Sequence, residues 1–215
     1  MIMKNTLSIL GLILLTIPVL SQGNKYEKAM KSAMDQMEQA SNPAESLEAA
    51  ASFEEISKNY PDQWLPSYHA SRIFVTNSFE GTDADKRDLI LERAGINLDQ
   101  ARAMAPEESE VEVLKALYYI GLISIDPETR GPVYYMDAID AIQKGIELNP
   151  ENPRAYYISA MWTLNSPDFM GGGPEAALPL FRKALEKYKT YKNDLAFWPA
   201  WGEDLVQAEL DRMEE

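Results

Sequence analysis

The alanines Ala49, Ala94, Ala138 and Ala177 stand in the same local frame, and this four-fold recurrence limits the possible folds more than any other feature of the chain. Four positions after each alanine comes a large apolar residue, Phe53, Leu98, Ile142 or Phe181, and three further on a small or apolar one, Ile56, Ala101, Gly145 or Ala184. These spacings put all three members on one helical face. In the first three frames a proline follows five residues after the last member, at Pro61, Pro106 and Pro150. Proline has no amide donor, so each unit stops in the same way. A unit of this size cannot bury its apolar face alone; repeated copies stack, share one core and present a surface. The sequence therefore points to a binding scaffold rather than a catalyst.

Residues 1–22 differ from the rest. Lys4 gives a positive start, Leu7 to Leu20 is an apolar run broken only by Ser8, Gly11, Thr16 and Pro18, and Ser21-Gln22-Gly23-Asn24 follows. The run falls short of the roughly 20 apolar residues that span a bilayer. It reads as a secretory signal peptide, with Val19 and Ser21 before a cut at Gln22, or alternatively a cut after Gly23. The expected product is an exported protein, periplasmic or secreted and bacterial in character, with one domain over 24–215 and no stable membrane anchor. The chain has no cysteine, which excludes disulfides, a thiol nucleophile, thiolate metal sites and a lipid-anchored signal. A net charge of −14 argues against nucleic acid as partner, because that affinity comes from lysine and arginine replacing counterions.

From Asn24 onward the pattern is helix punctuated by proline, glycine and aspartate. Helices are expected over Lys25 to Ala40, from Pro43 to Asn59, Gln63 to Asn77, Asp83 to Met104, from Pro106 through Ile123, Val133 to Leu148, Pro153 to Asn165, Pro174 to Tyr188 and Pro199 to Met213. Glu107, Glu108, Glu110 and Glu112 complement the positive end of a helix and need no metal to explain them.

The frames resemble the tetratricopeptide repeat (TPR), a helix-turn-helix unit of about 34 residues whose second helix carries alanine, a large apolar residue and alanine before a closing proline. Ser71 with Phe74, Ala116 with Tyr119, and Tyr156 with Ala160 match the family's first-helix positions, and the stretch from Ile146 to Tyr156 is close to its inter-repeat joint. The resemblance implies an all-α, right-handed helical-repeat solenoid of four antiparallel helix pairs with a C-terminal cap helix. It also implies a concave groove lined by first helices, with Leu65, Tyr68, His69 and Arg72, then Val113 and Leu117, then Arg154, Tyr157 and Met161. Two departures stand out. Ser67 and Glu112 replace the signature tryptophan, and the prolines are 45 and 44 residues apart. The surplus is expected as edge loops at Phe79 to Lys86, Ile125 to Val133 and Ser166 to Pro174.

Two of those stretches carry candidate binding groups. Gly171, Gly172 and Gly173 precede a helix start, where backbone amides can converge on an anion, although a tight turn explains them equally. No lysine followed by serine or threonine comes after them, so this is no phosphate loop. Phe169 beside them is either a contact surface or tucks into the core. Arg130, set between Pro127 and Pro132, either presents its guanidinium to a carboxylate partner or belongs to an exposed turn with a capping role. His69 is the only histidine, which leaves a zinc site short of ligands; Asp83, Asp85 and Asp88 lack the glycine and glutamate of a calcium loop. No catalytic set, cofactor or metal is expected. The reading is a non-catalytic envelope scaffold for a protein or peptide, with a small-molecule accessory of a transport system as the alternative.

Overall fold

The computed structural model describes residues 17–214, which form nine α-helices and one 3-10 turn, with no strand among them. The helices are α1 (Ile17–Gln39), α2 (Pro43–Asn59), α3 (Trp64–Glu80), α4 (Ala84–Met104), α5 (Ser109–Ile125), α6 (Pro127–Leu148), α7 (Pro153–Asn165), α8 (Pro174–Thr190) and α9 (Glu203–Glu214). Most of the expected signal peptide, residues 1–16, lies outside the described residues. No described helix is long and apolar enough to cross a membrane.

The starts are set by local chemistry. Asn42, Asp83, Asp126 and Asn152 each accept a backbone N–H from the first turn of the helix they precede, and Pro43, Pro127, Pro153 and Pro174 occupy first helical positions, where a missing donor costs nothing. Consecutive helices pack on one another, and α3 packs on α5 and α5 on α7. That order fits a helical repeat. The four frame alanines are all sealed at 0% exposure, and Phe53 and Phe181 with them. The recurrent frame is thus the packing seam of the helix pairs.

Two apolar cores result. One runs from Met30 to Leu114 across α1–α5, the other from Val113 to Leu210 across α5–α9, and α5 contributes to both.

The surplus residues are not where the repeat spacing predicts. Helix α3 continues to Glu80 and α4 begins at Ala84, while α6 begins at Pro127, so the first two expected edge loops are mostly extra helical turns. Asp83 and Asp126 cap the lengthened helices, and Pro127 starts α6 rather than rigidifying a loop. Only 166–173 is a true insertion, containing the 3-10 turn Asp168–Met170. The cap helix begins at Glu203, not Pro199.

Candidate functional site

The face carried by α3, α5 and α7 is crossed by the irregular segment 191–202, which lies on it as a strap. The indole N–H of Trp201 donates to the Tyr68 hydroxyl at 3.0 Å, and the Trp201 carbonyl accepts from the Tyr188 hydroxyl at 3.0 Å and from Arg154 Nη1 at 3.3 Å. His69 Nε2 lies 2.8 Å from the Phe197 carbonyl, and Trp198 packs edge-on against Trp64. The strap turns back at Gly202, φ +111°, where a Cβ would sit 2.2 Å from the Tyr188 hydroxyl. Only glycine fits there.

Beneath the strap lies a charged cluster. Arg154 Nε donates to both Glu110 carboxylate oxygens at 3.0 and 2.8 Å, with Arg154 2% and Glu110 0% exposed at the side chain. Burial pushes the Arg154 guanidinium down, but the Glu110 charge more than reverses this and holds it above the usual range. Burial, aided by the Glu110 charge, raises Tyr68 far above an ordinary phenol, and burial with Glu209 and Asp204 nearby pushes Tyr157 up to about 12. His69, 1% exposed and stacked on Phe53, must donate from Nε2 because its partner is a carbonyl, and its Nδ1 has no partner among the described residues. Burial pulls its pKa down to about 4.

Helices α6 and α7 are the most loosely packed consecutive pair, and a cleft of about 270 Å³ opens between them. Tyr135, Ile139, Ile142 and Ile146 line it at helical spacing from α6, Trp162 faces them from α7, and Met170 overhangs from the insertion. Tyr135 and Trp162 have ring centroids 5.1 Å apart. Beside Met170, Phe169 stands in water at 89% exposed. An exposed aromatic side chain next to an apolar cleft is a mark of contact sites.

The glycine stretch holds the overhang. The amides of Gly171, Gly172 and Gly173 bond to the carbonyls of Asp168, Pro167 and Thr163, so none is aimed at an anion. A Cβ at Gly172 would lie 2.1 Å from the Ser166 carbonyl oxygen. The glycines serve the turn, and Phe169 points out rather than into the core.

The structure brings Tyr68, His69, Arg72, Arg154 and Tyr157 onto one face, as the repeat alignment predicts, but the chain's own strap covers them. Met161 packs half-buried against the second core and does not line the cleft. Arg130 is a correction: it lies in the second turn of α6, not in a loop, and it is paired with Asp88 through two hydrogen bonds of 2.6 and 2.7 Å. Those bonds hold the Asp88 carboxyl below its usual range. Sequence reasoning missed Glu110 and the cleft side of α6. An acid in a first helical turn has a sufficient explanation in the helix dipole, and the Tyr135, Ile139, Ile142 and Ile146 stripe lies inside the helix expected over Val133 to Leu148, where it reads as ordinary core. Among the described residues no group of three or more His, Asp or Glu is placed to hold a metal ion.

No protein-family model matches the chain, and no curated protein matches its sequence. Its structure is similar to that of the HusA haemophore from Porphyromonas gingivalis. The match has a TM-score of 0.78 at 25% identity and covers 90% of this chain and 94% of that protein.

Proposed function

We propose that this chain is an exported small-molecule-binding accessory whose ligand is haem or a related porphyrin, with the macrocycle seated in the α6–α7 cleft. The observation that carries the reading is the likeness to a haemophore along nearly the whole length of both chains. The site chemistry supports it. A porphyrin is a broad, flat, apolar plate with carboxylates on one edge, and the cleft offers isoleucines, Tyr135 and Trp162 on its walls with Phe169 free to fold over it. The slot takes the apolar edge and leaves the carboxylates in water. An export signal over 1–22 suits a carrier that meets its ligand outside the cell. The single histidine is committed to the Phe197 carbonyl under the strap, so retention rests on apolar burial and ring stacking, with Met170 the thioether in the cleft wall. The strap also weakens the scaffold reading, since it occupies the groove a partner peptide would need.

The test is a titration of the purified protein with haemin and with iron-free protoporphyrin IX, followed by the Soret band and tryptophan quenching. Saturable binding of both is expected. Phe169→Ala, which removes a side chain with almost no internal packing, should weaken both without changing thermal stability, and Trp162→Ala should cost a further factor of about ten through roughly 1–2 kcal/mol of lost stacking and burial. Absence of saturable binding by either porphyrin overturns the assignment; unchanged affinity in both variants moves the ligand out of this cleft.

A further inference from the structure

None of the side chains that line the α6–α7 cleft carries a charge. Its hydroxyls are largely committed: Thr163 donates to the Ser159 carbonyl at 2.9 Å and Ser166 to the Trp162 carbonyl at 2.8 Å. The glycine turn at its lip offers no donor either, because the amides of Gly171, Gly172 and Gly173 are all spent on carbonyls. Lys144 is the one base next in sequence to a lining residue, and it stands 3.9 Å from Glu147 on the same helix. Asp140 and Glu147 follow the lining residues Ile139 and Ile146 directly. The whole chain is acidic as well, at a net −14. The cleft therefore has nothing with which to compensate a carboxylate for its lost water.

Porphyrins differ in how their carboxylates are distributed. Protoporphyrin has a carboxylate-free edge, since its propionates are confined to a pair of neighbouring pyrrole rings. Coproporphyrin has a propionate on every ring, and uroporphyrin an acetate besides. An ionised carboxylate taken out of water with neither counter-charge nor donor is strongly disfavoured. A plate that enters this slot edge-first must therefore lead with an edge that bears none. We propose that the cleft, on the porphyrin reading from which this follows, is selective for porphyrins with a carboxylate-free edge and excludes those that carry carboxylates all round. The selectivity comes from what the walls lack, so a single added cation should relax it. Gln143 is the place for one: it lines the cleft from α6 and is itself exposed, so a longer side chain there needs no room in the core.

The probes are protoporphyrin IX, deuteroporphyrin IX and coproporphyrin III, titrated into the full mature chain and followed by tryptophan quenching. Deuteroporphyrin has hydrogens in place of the vinyl groups and keeps the bare edge, so it separates loss of apolar bulk from arrival of charge. Coproporphyrin is expected to bind at least about tenfold more weakly than deuteroporphyrin. Gln143→Arg should narrow that gap by strengthening coproporphyrin binding while leaving deuteroporphyrin nearly unchanged. Coproporphyrin binding as tightly as deuteroporphyrin overturns the selectivity and leaves the porphyrin reading standing. A gap that a well-folded Gln143→Arg does not narrow also overturns it, since the discrimination would then arise outside this cleft; the wild-type ratio decides the matter should the variant fold poorly. Absence of saturable binding by every probe overturns the porphyrin reading and the selectivity with it.

Discussion

Glu110 and Arg154 form the contact on which most of the buried polar structure depends. The carboxylate accepts from Arg154 and from the Tyr68 hydroxyl, which accepts in turn from Trp201, so helices α3, α5 and α7 and the strap meet at one pair of oxygens. Glu110→Ala would leave a guanidinium buried without its partner, and a loss of about 3–5 kcal/mol is expected from urea unfolding. A conservative Glu110→Gln should lose less, since the amide oxygen still accepts. His69 is expected to make the fold sensitive to acid. Its folded pKa of about 4 lies below the ordinary 6.5, so between those values the unfolded chain binds a proton that the folded chain refuses. The stability from neutral His69 is complete above pH 6.5 and is lost as pH falls toward 4, by on the order of 3 kcal/mol. Urea midpoints measured across that window should fall more steeply for the wild type than for His69→Gln. Parallel profiles would show that the imidazole does not control the acid limb.

At the scale of elements, the sequence discloses what repeats and hides what occurs once. The frame alanines and closing prolines mark α2, α4 and α6 because a packing seam and a helix stop each need particular residue types. Surplus length is ambiguous: Asp126-Pro127 reads as a loop between two prolines, yet aspartate caps and proline at a first helical position favour a helix just as strongly, and the tertiary pairing of Arg130 with Asp88 selects the helix. The strap was out of reach because its hydrogen bonds to α3 join residues 128 to 133 positions apart, with no period to reveal them. Phe197-Trp198-Pro199-Ala200-Trp201 announces burial through its composition but not the face on which it lands. The groove residues were likewise legible as neighbours, whereas their being covered was not.

For the whole molecule the strap changes how a helical repeat holds together. A solenoid's stability is a sum of units and nearest-neighbour interfaces, so its ends can open independently. Here Phe197 packs on the first core and Trp201 on the second, and the two residues sit four positions apart on one short segment. The strap therefore ties α1–α4 to α7–α9 directly, bypassing α5. Wild-type protein should open as one unit, with amides of α2–α4 and of α7–α8 exchanging hydrogen at a common opening free energy. Trp201→Ala removes the indole's bond to Tyr68 and its packing on Tyr157, and with them the tie. The two groups of amides should then separate by about 2 kcal/mol, the second core opening first because it has lost both the indole and the Tyr68 link. A common opening free energy that persists in Trp201→Ala would assign the coupling to α5 alone and leave the strap as a cover for the groove rather than a brace across it.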